Sequence, residues 1–109
     1  MGFEFMTKKS RFPSFRISPK ALDQVRIGNT ARIVYERLLD SAIRRGIEDE
    51  NGVIFVRYPI IRLAEDISKS AMTVKRALKD LEDRGLIFRI RNKVGEVSDT
   101  YVLLPKEEL

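Results

Sequence analysis

The chain has 109 residues, 43% hydrophobic and 34% charged, with a net charge of +5 and a pI near 9.7, which suits one domain with a real core. Neither cysteine nor histidine occurs, which excludes disulfides, zinc fingers, Ser-His or Cys-His catalysis and most transition-metal sites. No apolar run is long enough to span a membrane and no signal peptide is visible, so a cytoplasmic protein is expected.

Residues 1–11 read as an N-terminal arm. Between Met1 and Lys20 lie Phe3, Phe5, Phe12 and Phe15, four of the six phenylalanines, interleaved with Lys8, Lys9, Arg11, Arg16 and Lys20. Pro13 and Pro19 argue against a long helix there. The phenylalanines either pack on the domain's own core or form an arm that packs on a second subunit. The second reading is favoured, because four phenylalanines are hard to bury inside so small a domain.

The domain itself is expected over 12–105. Ala31, Val34, Tyr35, Leu38, Leu39 and Ala42 recur at helical spacing, with Asn29 or Thr30 as the cap and Gly46 as the stop. Arg44 and Arg45 suit the negative end of that helix. Ile47 to Val56 reads as an acidic turn leading into a strand, with Asn51-Gly52 as a tight-turn signal. Its three consecutive acids lack the alternating ligand spacing of a calcium loop, and a solvated turn is the expectation.

Arg57-Tyr58-Pro59 then opens a helix whose Ile60, Leu63, Ala64 and Ile67 face inward. A tight turn leads to a second helix. Ser70 is its N-cap, Ala71, Val74, Ala77, Leu78 and Leu81 form its apolar stripe, and Gly85 sits where a left-handed C′ residue belongs. Met72, Arg76 and Lys79 fall opposite the stripe, with Thr73 and Lys75 on its flanks. The basic and small-polar residues occupy the N-terminal half of this outer face, and Asp80, Glu82 and Asp83 the C-terminal half. A recognition helix has that polarity, since its N-terminal residues meet base edges in a major groove.

Leu86 to Arg91 alternates, with Leu86, Phe88 and Ile90 on one face and Ile87, Arg89 and Arg91 on the other, as in a half-buried strand. Turn formers fill Asn92 to Asp99, and Thr100 to Leu104 is a second strand. Helix, turn, helix and hairpin are the elements of a winged helix-turn-helix. Residues 106–109 read as the start of a linker to a further domain.

Charge is unevenly placed. Lys69, Lys75, Arg76, Lys79, Arg84, Arg89, Arg91 and Lys93 face only Asp80, Glu82 and Asp83 between Ser68 and Lys93, so that segment carries the whole excess of +5. The other 13 basic and 13 acidic residues cancel. A basic excess on one supersecondary unit marks a phosphate-backbone binder. A membrane-surface role would need a broad exposed apolar face beside the charge, and the apolar stripe here is required for the core. The six glycines make neither a P-loop nor a dinucleotide fingerprint, and no carboxylate pair has a companion acid, base or metal ligand. No enzyme, cofactor, metal or small-molecule substrate is expected.

Several stretches also resemble a known family. Phe15 to Leu22, Tyr35 to Asp40, Asp49 to Phe55, Val74 to Ile87 and Lys93 to Val102 are similar to the N-terminal domain of plasmid replication initiators of the RepA type, from plasmids of low-GC Gram-positive bacteria. The likeness covers roughly Phe12 to Leu104 and departs at the short link Ile43 to Ile47. It implies a domain that dimerises and binds repeated sites in a plasmid origin.

The expected fold is therefore α+β, mainly α: a winged helix-turn-helix with a three-helix core and a small antiparallel sheet. The expected partners are double-stranded DNA and a second copy of the chain. DNA contacts are assigned to Lys69, Ser70, Met72, Thr73, Lys75, Arg76, Lys79, Arg89, Arg91 and Lys93. A winged-helix transcriptional regulator and a protein-interaction module of a replication complex are the alternatives.

Overall fold

Three helices and five short strands organise residues 3–8, 27–91 and 97–105, which the computed structural model describes. The helices are Asn29–Arg45 (α1), Ile60–Ile67 (α2) and Ala71–Asp83 (α3). The strands are Phe3–Phe5 (β1), Ile47–Glu48 (β2), Ile54–Phe55 (β3), Ile87–Ile90 (β4) and Asp99–Pro105 (β5). One antiparallel sheet has the order β1-β5-β4 and a second pairs β2 with β3. Isolated bridges between Val56 and Thr100 and between Thr7 and Val53 connect the two. The result is the expected α+β winged helix-turn-helix, mainly helical, although residues 92–96 of the wing, with Lys93, lie outside the described residues.

The helical stripes pack as their spacing requires. Ala31, Val34, Tyr35, Leu38, Leu39 and Ala42 of α1 are buried, as are Val74, Ala77, Leu78 and Leu81 of α3 and Leu63 and Ala64 of α2. Burying one leucine contributes about 1.5–3 kcal/mol, so this cluster outweighs any surface ion pair. Tyr35 joins it to the sheet: the ring is fully buried and its hydroxyl donates to the Leu103 carbonyl at 2.6 Å. Burial pushes that hydroxyl's pKa well above the usual tyrosine value, so it remains a donor.

Residues 3–8 do more than the arm expected of them. The chain needs a partner for the outer edge of β5, and β1 supplies it, pairing Phe3 with Pro105, Glu4 with Leu104 and Phe5 with Leu103. Met6 is completely buried in the core, and its carbonyl accepts the Ile54 amide at 2.8 Å. Phe3 packs partly buried against the core, while Phe5 stays 45% exposed. Phe12 and Phe15 lie outside the described residues.

β4 alternates as expected, and its inner face is the one that carries Ile87 and Arg89. Ile87 pairs with Val102 and is buried, Arg89 is half-buried, and Phe88 and Ile90 point outward. Leu86 is buried because it precedes the strand, as the residue that closes α3 onto the core. Phe88 instead joins Phe5 and Tyr101 in an edge-on and tilted aromatic cluster, with ring centroids 5.7–6.2 Å apart. Behind it, Phe55 lies 5.4 Å from Tyr101.

The acidic turn has a hub. One carboxylate oxygen of Asp49 accepts the amides of Asn51 and Val53 at 2.8 and 2.9 Å, and the other accepts the Tyr101 hydroxyl at 2.9 Å. Those donors hold its carboxyl below the ordinary aspartate range, the Val53 amide most of all. α1 begins at Asn29 behind Gly28, with no side-chain cap bond, so neither Asn29 nor Thr30 caps it.

Two glycines end helices for different reasons. Gly46, after α1, has ordinary extended geometry (φ −61°), but an added Cβ would lie 2.4 Å from the Ala42 carbonyl oxygen and 2.3 Å from Ile54 Cγ2. Gly85, after α3, has φ +74° with nothing within 4 Å of an added Cβ. Gly85→Ala should cost about 1–2 kcal/mol, the intrinsic left-handed penalty. Gly46→Ala should cost about 1–3 kcal/mol through backbone displacement. Urea midpoints check this: Gly46→Ala should also weaken packing of β3 on α1, seen as faster amide exchange at Ile54, whereas Gly85→Ala should not.

Candidate nucleic-acid interface

The turn between α2 and α3 is closed from both sides. Ser68 takes the left-handed conformation (φ 57°, ψ 45°), and the Lys69 amide donates back to the Ala64 carbonyl at 3.0 Å. Ser70 then caps α3: its hydroxyl accepts the Thr73 amide at 3.1 Å and lies 2.8 Å from the Thr73 hydroxyl. At the other end the Gly85 amide reaches Glu82 O and the Leu86 amide reaches Leu81 O, at 3.0 and 2.9 Å. That pair of bonds is a Schellman ending, and it delivers Leu86 into the core beside Leu81.

With both ends pinned and the apolar stripe buried, the opposite face of α3 must be outside. Met72 is 58% exposed, and Lys75, Arg76 and Lys79 are exposed beside it. Thr73 is half-buried and tied to Ser70.

The acidic half of α3 is neutralised within the domain. Asp80 pairs with Arg84 at 2.9 Å, Asp83 with Lys79 at 3.7 Å, and Glu82 with both Arg89 and Arg91 at 2.9 and 3.1 Å. Among the described residues, Lys69, Lys75 and Arg76 have no carboxylate within ion-pair distance. Uncompensated positive charge therefore concentrates at the turn and the first two turns of α3. Arg89, assigned from the sequence to DNA contact, has a side chain only 11% exposed and committed to Glu82. Arg91 shares that carboxylate but is 62% exposed.

A groove of about 480 Å³ runs between the start of α2, the start of α3 and the base of the wing. Lys75 and Arg89 line it with Tyr58, Pro59, Ile61 and Val97. Ile61 is 70% exposed, the most exposed large hydrophobic residue described. It escaped the sequence reading because only the inward positions of α2 follow the helical period. An apolar side chain two residues after the helix-opening proline, on the side away from Leu63 and Ala64, is the signal that marks it.

Tyr58 anchors the other rim by donating from its hydroxyl to the Asp66 carboxylate. Burial, then the acceptor Asp66, push that hydroxyl up to about 12, so it does not ionise near neutrality. Next to it, Arg57 pairs with Asp99 at 2.8 Å and lies over the Phe55 ring, 5.5 Å from its centroid.

This chain is similar to two solved structures. One, described as "N-Terminal domain of DNA binding protein", aligns over 92% of this chain and 79% of its own, with a TM-score of 0.65 and 23% identity. The other, described as "Structure of Rep-DNA complex", aligns over 93% and 81%, with a TM-score of 0.70 and 24% identity. The fold is shared. No protein-family profile matches the chain, and no curated protein matches it at a significant level.

The cap separates two possible roles of Ser70. If its hydroxyl serves the helix, Ser70→Ala should lower stability by about 1 kcal/mol and Ser70→Asp should largely keep it. Equal urea midpoints for Ser70→Ala and the native chain would mean that the cap contributes nothing.

Proposed function

We propose that this domain binds double-stranded DNA sequence-specifically through α3 and acts at repeated sites in a plasmid replication origin to initiate replication. The observation that carries the reading is the face of α3: a helix held by its opposite stripe, with Arg76 exposed and unpaired at its centre and all three acids of the helix already engaged. Arg76 suits bidentate donation to guanine O6 and N7, and Met72, one turn earlier, suits apolar contact with a thymine methyl. Lys69, Lys75 and Arg91 are placed for phosphates, and Lys79 follows once it leaves its loose pair with Asp83. The hydroxyls of Ser70 and Thr73 lie at the same end.

The likeness to the two DNA-related structures supports the duplex as partner, and the likeness of the sequence to plasmid initiators supports the origin. No helix among the described residues is long and apolar enough to cross a membrane, in keeping with a cytoplasmic role. A homodimer belongs to the same reading, since paired half-sites need two recognition helices. The outer face of the sheet, with Phe5, Phe88 and Ile90 at 45%, 51% and 42% exposure, supports such pairing. The same face also favours the second reading, a protein-interaction module of a replication complex. A transcriptional regulator would use the same α3.

The deciding test is selection of preferred sites from a randomised duplex pool, followed by titration of Arg76→Ala. The variant should lose about 10- to 100-fold on the preferred site, the equivalent of the 1–3 kcal/mol that a bidentate base contact is worth, and only a few-fold on random duplex. Equal losses on both would reduce Arg76 to a phosphate contact. Selection that yields no repeated sequence would remove the specific reading altogether.

A further inference from the structure

A second hollow, about 450 Å³, lies behind the first helix of the helix-turn-helix, between α1, α2 and the residues after β3. Its cations are all arginines: Arg37, Arg44 and Arg45 from α1, Arg57 from the link, and Arg62 from α2. Two carboxylates line it, Asp40 and Asp66. Each is already engaged, Asp40 by Arg44 at 3.0 Å and Asp66 by the Tyr58 hydroxyl. Arg37 donates to a main-chain carbonyl, that of Asp66, at 3.4 Å, so its charge is not cancelled by that bond. Arg45 and Arg62 are exposed and have no carboxylate within ion-pair distance among the described residues.

Arg44 is paired with Asp40 and Arg57 with Asp99, and Asp66 keeps its charge while it accepts from Tyr58, so the positive charge left in excess around the cleft rests mainly on Arg37, Arg45 and Arg62. An arrangement of that kind is favourable when an anion sits in it. Arginine also differs from lysine in presenting a planar fork that grips phosphate oxygens in pairs. The position of the cleft supplies the second argument. Tyr58 and Pro59 line both this hollow and the groove beside α3, so the two adjoin across that pair of residues. An anionic chain that leaves the α3 groove past Tyr58 and Pro59 meets the hollow that Arg62 and Arg45 line.

We infer that this arginine-lined cleft holds the phosphate backbone of the duplex outside the segment that α3 reads. The inference rests on the proposed DNA-binding function, and it extends the interface to residues on α1 and α2. These contacts carry no sequence information; they add affinity and fix the angle at which the domain lies across the duplex.

The test is the double variant Arg45→Ala, Arg62→Ala in the full chain, with Arg45→Lys, Arg62→Lys as a control that keeps the charge. Affinity is measured against salt on two duplexes: the selected preferred site trimmed to about one helical turn, and the same site with about ten further base pairs on each side. The alanine variant should flatten the log–log salt slope by about two on the long duplex, near 0.9 for each lost phosphate, and match the native chain on the short one. The lysine control should keep most of the slope. An unchanged slope on the long duplex would overturn the inference. So would competition by a polyglutamate peptide that depends on Arg45 and Arg62 while the slope stays the same, because the cleft would then take an acidic protein segment. If Arg76→Ala still loses the preferred site in either of those cases, the cleft fails alone. Failure of the native chain to bind either duplex would sink the DNA reading and this inference together.

Discussion

The burial of one stripe of α3 governs this domain. Val74, Ala77, Leu78 and Leu81 are buried against the core, and a helix with that side fixed has no freedom over what it shows outside. The two ends add what a stripe cannot. Ser70 sets where α3 begins and Gly85 with Leu86 sets where it ends, so the helix can neither slide nor extend. Tyr35 ties α1 to β5 behind it, and the hairpin starts from the residue that closes the helix. Met72, Arg76 and Lys79 are therefore presented by packing on the far side of the molecule.

Charge is sorted along the same helix. Glu82 holds the two arginines of β4 and its continuation, which keeps the wing's base close to α3 and also withdraws Arg89 from solvent. Asp80 and Asp83 are satisfied by residues one turn away, pairs worth a few tenths of a kcal/mol at most on an exposed helix. Their larger effect is on the field: negative charge is confined to the end of α3 that points into the protein's own cations, while its beginning stays positive. A polyanion meeting this face is drawn to the turn and not to the C-terminal end.

Much of this is legible in the residues alone. The stripes of α1 and α3, the proline before α2, the Ser70 cap and the Gly85 ending are local signals whose physics does not depend on the rest of the chain. Elements that depend on distant partners are not legible in that way. β1 exists because β5 has a free edge at Leu103 to Pro105, and nothing near Phe3 announces it. β4 turns Ile87 inward because Val102 is opposite, although Phe88 and Ile90 make its other face the more apolar one. Arg89 looks like a wing cation in sequence and is half-buried in space because it lies on that inner face. The arginines of α1 and α2 disappear into a sequence sum in which 13 acidic residues cancel 13 basic ones. Folding undoes part of that cancellation by placing Asp49 in a turn, while five arginines line one cleft and only Arg44 and Arg57 among them pair with a carboxylate of the described residues.

The claim that the outer face of α3 meets the duplex is open to direct observation. Amide spectra of the isotopically labelled chain, followed while a duplex carrying its preferred site is added, locate the contact residue by residue. The largest shifts are expected from Lys69 to Lys79, with a second set around Arg57 to Arg62, and little change at Phe5, Phe88 and Tyr101. Shifts confined to that aromatic face of the sheet, with the amides of α3 unmoved, would contradict that claim.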